Sequence, residues 1–146
     1  MPPTLGRVDT WKASEMRKIL MGLCLVAVSL AASAEWRRQG VSEGGIVHID
    51  RDSLKQTALR NQMLTLTEYP KAQTLGARRY LSVIATYEFD CMTMQFRSKQ
   101  ATYYASHGGE GPTISSVTLD GPMKSPDRGS LGEGMTKLFC EYKAHG

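Results

Sequence analysis

The fold of this chain is decided by residues 80–91, which read Tyr-Leu-Ser-Val-Ile-Ala-Thr-Tyr-Glu-Phe-Asp-Cys. The odd-numbered residues of this stretch are apolar or small, and the even-numbered residues are polar except for Tyr80 and Ile84. An alternation with a period of two is typical of a half-buried antiparallel strand. The same alternation places Cys91 on the apolar face, so we expect its thiol to point toward the core.

Five further strands are predicted around this stretch, at residues 36–41, 46–49, 59–69, 93–104 and 113–119. Turn-forming residues separate them, with glycine-rich turns at 42–45 and 107–112. Pro70 is expected to end the third strand and residues 71–77 to form a loop. Residues 50–54 are expected to form a one-turn helix or a tight turn that starts at an aspartate cap.

Within the strand at 93–104, the alternation predicts a core side and a solvent side. Met94 and Phe96 should continue the core face of the preceding strand. Arg97 and Lys99 should project from the other face. A hairpin with a consistent apolar face therefore forms the centre of the predicted sheet.

A C-terminal helix is predicted to begin at Ser130, which has the Ser-x-x-Glu spacing of a capping box with Glu133. Its apolar stripe would contain Leu131, Met135, Leu138, Phe139 and Tyr142. Cys140 lies on the opposite side of an ideal helix from Leu131. Either the helix ends near Phe139 and Cys140 follows in a turn, or Cys140 forms its bond at the helix edge. The expected fold class is α+β, an antiparallel sheet of about six strands with a C-terminal helix packed on one face.

The N-terminal region has the layout of a secretory signal peptide over residues 16–34. Basic residues precede an apolar run of about 13 residues, and Ala32-Ser33-Ala34 follows, which predicts cleavage before Glu35. That run is too short to span a bilayer of about 30 Å. Residues 1–15 are interpreted as a misassigned upstream start, and residues 35–146 as a single mature domain.

Cysteine usage predicts one disulfide. Cys24 lies in the signal segment after Leu23, where a lipobox requires a small residue, so no lipid anchor is expected. Cys91 and Cys140 remain in the exported domain, and two cysteines in an oxidising compartment predict a Cys91–Cys140 bond. Such a bond would tie the C-terminal helix to the sheet.

Net charge and motif content disfavour several functional classes. The chain has a formal charge of +4, and removal of the first 34 residues lowers it to about +2, which gives nucleic-acid binding no support. The histidines of the exported domain, His48, His107 and His145, lack metal-ligand spacing, so we predict no metal, no cofactor and no catalytic residues. Ser106-His107 are sequence neighbours, which tend to point apart, and a small hydrolase is the least favoured hypothesis.

Charged residues of the central strands allow a binding and a structural interpretation. Glu88 and Asp90 share the outward face of one strand. Two acids in this position are more commonly a solvated pair than a catalytic pair. The candidate partner-binding residues are basic: Arg78, Arg79, Arg97 and Lys99. They could contact acidic segments of a partner protein, although such residues are usually only solvating.

The exported domain resembles the surface-adhesin protein E family of exported bacterial proteins. The resemblance is carried by Trp36, Ile46-Val47-His48-Ile49-Asp50 with Ser53-Leu54, Tyr87-Glu88-Phe89-Asp90-Cys91, Gly108-Gly109, Ser125-Pro126, Ser130 and Cys140. It implies an antiparallel sheet of about six strands with a C-terminal helix tied across it by a disulfide. This agrees with the architecture predicted from periodicity.

The resemblance also implies a non-enzymatic function in adhesion. Family members are expected to bind host matrix or serum proteins from the bacterial surface, some of them as homodimers. Because no lipobox is found, the alternative is a periplasmic structural or assembly protein that binds another envelope component or its own copy. The expected location is therefore the periplasm or the cell surface at the outer membrane.

Overall fold

The computed structural model describes residues 34–141. The predicted upstream segment and nearly all of the signal peptide, together with Tyr142 and His145, lie outside the described residues.

The described residues form one six-stranded antiparallel sheet whose strands lie in sequence order. The strands are β1 (Trp36–Ser42), β2 (Gly45–Gln56), β3 (Arg60–Leu75), β4 (Arg78–Asp90), β5 (Gln95–Tyr104) and β6 (Thr113–Thr118). A 3₁₀ turn, η1 (His107–Gly109), follows β5, and helix α1 (Leu131–Glu141) follows β6. The predicted fold class is confirmed.

Strand β2 continues through residues 50–56, so the one-turn helix or tight turn predicted at residues 50–54 is wrong. Asp50 pairs with Leu64 and Lys55 pairs with Gln62, with an irregular register between the two pairs. Within this bulge the Asp50 carboxylate accepts the Asp52 N–H at 3.0 Å. Strand β3 pairs with β2 on both sides of this stretch, so the chain forms a bulge within the sheet. The hydrogen bond to Asp50 stabilises the backbone of that bulge.

Strand β3 also continues beyond its predicted end, and the loop expected at residues 71–77 is wrong. Pairing with β4 shifts between Glu68 and Gln73, and Pro70 lies within this shift. A proline is tolerated there because a bulge does not require its missing N–H in the ladder. The hairpin turns only at Gly76, which has a φ of 61°.

The start of β5 differs from the prediction at one residue. Met94 lies in the turn between β4 and β5 with a φ of 52° and is 39% exposed, so its expected place in the core is wrong. Phe96 packs against the core as predicted, with its ring centroid 6.4 Å from that of Phe89. Because of this tight turn, β5 begins at Gln95, two residues later than the sequence pattern indicated.

Helix α1 covers one end of one sheet face, where most of the core lies. The buried core residues at this end are Val47, Ile49, Met63, Phe89, Met135 and Phe139. Phe89 and Phe139 are both 0% exposed and meet edge to face at 4.5 Å between ring centroids. Burying each such side chain stabilises the fold by about 1.5–3 kcal/mol.

Two capping hydrogen bonds define the start of the helix, and a third hydrogen bond ties its last turn to strand β3. Ser130 Oγ accepts the Glu133 N–H at 3.1 Å, and the Glu133 carboxylate accepts the Gly129 N–H at 2.6 Å, which caps the first turn. At the other end, the Asn61 amide donates to the Phe139 carbonyl at 2.9 Å. Cys140 lies inside the last helical turn, so the bond is formed at the helix edge.

The predicted disulfide is present between Cys91 and Cys140, with 5.3 Å between the Cα atoms. It joins the turn after β4 to the last turn of α1. The covalent bond thus holds α1 across the end of the central strand.

Candidate functional site

Beyond the part that α1 covers, the same sheet face forms a concave surface, which Met135 of α1 borders at one side. Its walls contain four tyrosines: Tyr69, Tyr80, Tyr87 and Tyr103. The cavity has a volume of about 340 Å³, and we call it the tyrosine concavity. A volume in this range is typical of small-ligand pockets.

The floor of the concavity is formed by small side chains on three central strands. Ala85 pairs with Ala101 on β5 and with Thr65 on β3, and all three are buried. Directly paired residues project from the same face of a sheet. Short side chains at the centre and tyrosines around them produce the depression.

The tyrosine rings contact one another in a fixed order across the sheet. The rings of Tyr69 and Tyr80 lie 5.7 Å apart at 87°, and those of Tyr80 and Tyr103 lie 4.9 Å apart at 79°. Edge-to-face pairs of this kind contribute about 0.5–1.5 kcal/mol beyond their buried area. The wall of the concavity is therefore preorganised.

Tyr80 lines the concavity, although the simple alternation placed it outward, and it lies beside the bulge in β3. Ser82 pairs with Glu68 but Tyr80 pairs with Gln73, so β3 advances farther than β4 between these pairs. A bulge bends the strand and increases its local twist. The Tyr80 ring contacts both Tyr69 and Tyr103.

Glu43 borders the concavity from the turn between β1 and β2. Glu43 and Gly44 have φ angles of 51° and 78°, the left-handed conformation of a primed hairpin turn. Next to them, a Cβ on Gly45 would lie 3.0 Å from Tyr69 Cε1 and 2.6 Å from Thr67 Cγ2. Glycine is therefore needed at position 45 for Tyr69 to pack on the β2 backbone.

The surroundings of the concavity favour the neutral form of three of its phenols. Burial raises the pKa of Tyr69, Tyr80 and Tyr87, and neighbouring tyrosines and Glu43 raise it further. A neutral phenol presents a ring face with partial negative charge and a hydroxyl that can donate or accept a hydrogen bond. The site is thus suited to polar and aromatic contacts with a partner.

On the opposite sheet face, η1 packs over Ile84. Ser82 Oγ accepts the Gly109 N–H at 3.0 Å, and Glu68 accepts the Gly108 N–H at 2.9 Å. A Cβ on Gly109 would lie 2.4 Å from Ile84 Cδ1. The apolar Ile84, which breaks the alternation of β4, is explained by this cover.

Two of the histidines considered as ligands lie on either side of Glu68. Its carboxylate oxygens are 3.8 Å from His48 Nδ1 and 4.0 Å from His107 Nδ1. Within residues 34–141, no group of three or more His, Cys, Asp or Glu side chains is arranged to hold a metal ion. The contacts are those of weak ion pairs that form when the imidazoles are protonated.

Glu88 is not a solvated surface acid, so that interpretation was wrong for this residue. Glu88 is 6% exposed, and its carboxylate accepts hydrogen bonds from Arg60 at 2.8 Å and Arg97 at 2.9 Å. Burial alone would raise the pKa of Glu88, but the hydrogen bonds from Gln62, Arg60 and Arg97 outweigh it and lower the pKa. Glu88 therefore stabilises the pairing of β3, β4 and β5.

Asp90 has a different local role. Its carboxylate accepts the N–H groups of Met92 at 3.0 Å and Thr93 at 3.1 Å, at the start of the turn into β5. The backbone hydrogen bond from Thr93 is the main reason why the pKa of Asp90 is lowered. Asp90 therefore stabilises the turn between β4 and β5.

The four basic candidates do not form one patch. Arg97 contacts Glu88 and Asp120, and Lys99 Nζ lies 3.5 Å from the same Asp120. Arg78 and Arg79 are exposed at the start of β4, about 30 Å along the strand from Glu88 at about 3.3 Å per residue. Partner binding by either pair stays a prediction.

The residues that line the concavity were missed by the sequence analysis. Tyr69, Tyr80 and Tyr103 are scattered over three strands, and Tyr80 was noted only as an exception to the alternation. That exception was the one available signal, because an aromatic residue on a nominally polar face indicates a surface covered by other side chains or by a partner. Glu43 gave no signal beyond its place in a turn.

The chain was compared with known protein families. The family model described as surface-adhesin protein E matches residues 36–141. The chain belongs to the surface-adhesin protein E family. This is a family of surface adhesins, and its members are surface or exported proteins. A comparison of the sequence with curated proteins finds no significant match.

Solved structures of Haemophilus influenzae protein E share the fold of this adhesin family member. One crystal form is similar with a TM-score of 0.54 at 14% identity, covering 70% of this chain and 91% of that one. Another protein E structure has a TM-score of 0.55 at 13% identity, covering 72% and 92%. The structure of protein E from non-typeable Haemophilus influenzae has a TM-score of 0.54 at 14% identity, covering 68% of this chain and 77% of that one.

One further finding concerns the membrane. Over the described part of the chain, residues 34–141, no helix has the length and apolar character needed to cross a bilayer.

Proposed function

We propose that this chain is an exported, non-enzymatic adhesin-like protein that binds a host matrix or serum protein through the tyrosine concavity. The single observation that supports this site is a preorganised tyrosine wall on the sheet face beyond the part that α1 covers. Membership of the surface-adhesin protein E family supports adhesion as the general function.

The chemistry of the concavity supports contact with another protein. Tyrosine is enriched among the residues that dominate binding energy at protein interfaces. Its ring supplies large contact area, and its hydroxyl remains available for hydrogen bonds. Because Tyr69, Tyr80 and Tyr103 already hold one another, little side-chain entropy would be lost on binding.

The disulfide and the N-terminal sequence support export. A structural disulfide is typical of proteins that fold in an oxidising compartment. The signal peptide at residues 16–34 would deliver the domain to such a compartment. Mass spectrometry of the exported protein under non-reducing conditions would test both features, since it measures the cleavage site and the loss of two hydrogens on disulfide formation.

The binding proposal is tested with a panel of immobilised matrix and serum proteins. The full chain and its Tyr80→Leu and Tyr104→Leu variants are compared by surface plasmon resonance. Tyr104 is the matched control, because it pairs with Ser82 and so lies on the opposite face of the same hairpin. We expect Tyr80→Leu to weaken binding at least tenfold, the effect of an interface hot spot, and Tyr104→Leu to change it less than twofold.

Two results would contradict the proposal. If no protein of the panel binds the unmodified chain, adhesion to host proteins is wrong. If both tyrosine variants bind as tightly as the unmodified chain, the concavity is not the adhesive site. Circular dichroism of each variant separates loss of binding from loss of folding.

A periplasmic structural or assembly role is the second candidate, favoured by one sequence feature. Leu23 precedes Cys24, so the lipobox that would anchor the protein to a membrane is absent from this position. Protease treatment of intact cells distinguishes the two, because only a surface-exposed copy would be cleaved. Analytical ultracentrifugation in the same study tests whether the partner is a second copy of the chain.

A further inference from the structure

The tyrosine concavity combines aromatic faces with one carboxylate and no positive charge. Its lining residues within the described part of the chain include Glu43 but neither lysine nor arginine. The domain at residues 35–146 carries slightly more basic than acidic residues, with 14 Lys and Arg against 12 Asp and Glu. The concavity is therefore an electronegative site on a weakly basic protein.

We propose that the tyrosine concavity binds the cationic side chain of a lysine or arginine on the partner protein. This inference rests on the proposed function, because it names the chemistry that the adhesive site recognises. The faces of the rings of Tyr69, Tyr80 and Tyr103 attract a cation through their quadrupoles, and Glu43 supplies the opposite charge.

The arrangement of the rings fits this ligand. The planes of Tyr69 and Tyr80 meet at 87° and those of Tyr80 and Tyr103 at 79°, and all three rings line the cavity. Two or more aromatic faces around one pocket are the arrangement that binds ammonium groups in other proteins. The cavity of about 340 Å³ is large enough for the end of one long side chain.

The position of Glu43 favours a positively charged ligand over a negatively charged one. Glu43 is exposed in the turn between β1 and β2, and its charge acts on the hydroxyls of Tyr69, Tyr80 and Tyr87. A carboxylate at the rim attracts a cation before contact and repels phosphate or carboxylate groups. An anionic ligand is therefore disfavoured by both the rings and the rim.

The test uses small probes that differ only in charge. N-acetyl-lysine methylamide and N-acetyl-arginine methylamide are titrated into the full chain, with N-acetyl-norleucine methylamide as the uncharged counterpart. Binding is measured from the ¹H–¹³C NMR signals of the tyrosine rings. We expect the cationic probes to shift the ring signals of Tyr69, Tyr80 and Tyr103, and the norleucine probe to shift them at least fivefold less at equal concentration.

Two variants locate the charge effect. Glu43→Gln lies in an exposed turn and should leave the fold intact while weakening the binding of the lysine probe about twofold to fivefold. Glu110→Gln is the matched control, because Glu110 is exposed beside η1 and belongs to the loop that packs on the opposite face. It should leave the titration unchanged.

Three results would overturn the inference. These are equal shifts with lysine and norleucine probes, no ring shifts with any probe, or a Glu43→Gln variant that binds lysine as tightly as the unmodified chain. The same chain is then tested on a bound panel protein whose lysines have been acetylated and whose arginines have been blocked with a dicarbonyl reagent. If the chain binds the modified panel protein as tightly as the unmodified one, the cationic ligand is refuted but adhesion is not. If the chain binds the lysine probe but no panel protein, adhesion alone is refuted.

Discussion

The disulfide gives the sharpest test of how this fold is stabilised. The perturbation is the double substitution Cys91→Ala with Cys140→Ala, which removes the covalent link between the turn after β4 and the last turn of α1. Ile49, Phe89 and Phe139, which form the core beneath the helix, are left unchanged.

The expected magnitude follows from the loop that the bond closes. The two cysteines are 49 residues apart. On the chain-entropy model, a loop of that length corresponds to about 4 kcal/mol of stability at 25 °C. A domain of this size is stable by about 5–15 kcal/mol in total, so the variant should still fold but with much of its margin lost.

The assay is urea unfolding at equilibrium, followed by far-ultraviolet circular dichroism. With a denaturant slope of about 1–3 kcal/mol per molar urea, the midpoint should fall by about 2 M. The unmodified chain under reducing conditions serves as the control, and its free energy of unfolding should match that of the variant within about 1 kcal/mol. Hydrogen exchange should show the amides of α1 losing protection before those of β3 and β4, because the helix is the element that the bond secures.

A loss smaller than about 1 kcal/mol would refute the reasoning. It would mean that packing of Phe139 and the hydrogen bond from Asn61 already hold the helix, or that the unfolded chain is compact without the bond. A variant that retains the sheet but loses α1 would instead support a helix that depends on its covalent bond.

Further predictions concern the buried carboxylate and two glycines. Glu88→Gln should lower the free energy of unfolding by about 2 kcal/mol, less than for a fully buried pair because Arg60 is 38% exposed; an unchanged urea midpoint would contradict this. Because the pKa of Glu88 is lowered in the fold, the ionised carboxylate stabilises the fold above its unfolded pKa, and this stabilisation is lost as the pH falls through the folded pKa. Below about pH 4.5, the free energy of unfolding should therefore fall more steeply with decreasing pH for the unmodified chain than for Glu88→Gln. Gly109→Ala should cost about 2–3 kcal/mol in thermal unfolding, since it combines a φ of 72° with a Cβ 2.4 Å from Ile84 Cδ1. Gly76 has a φ of 61°, and a Cβ added there would meet no atom within 4 Å, so Gly76→Ala should lower the free energy of unfolding by about 1 kcal/mol. Equal losses of stability at the two glycines would show that the contact with Ile84 is unimportant.

The sequence by itself determined the elements whose signal is local. The alternation of residues 80–91 identified the central strand, since side chains of a strand point to opposite faces in turn. The capping residues Ser130 and Glu133 located the start of α1, because a helix cap depends only on residues within one turn. The disulfide followed from counting cysteines in an exported domain.

Tertiary structure alone decided the features that depend on pairing between distant strands. Glu88 is buried because Arg60 and Arg97 reach it from the two neighbouring strands, and a single strand carries no record of its neighbours. The continuation of β3 past Pro70 is permitted by a bulge that exists only in the paired sheet.

The tyrosine concavity shows the same division most clearly. Each tyrosine is visible in the sequence, but their meeting depends on the shifted register between β3 and β4 and on how far α1 extends over the sheet face. A register shift of one residue would turn side chains to the other face. Local residue patterns therefore determined which elements form, and long-range register determined which side chains meet.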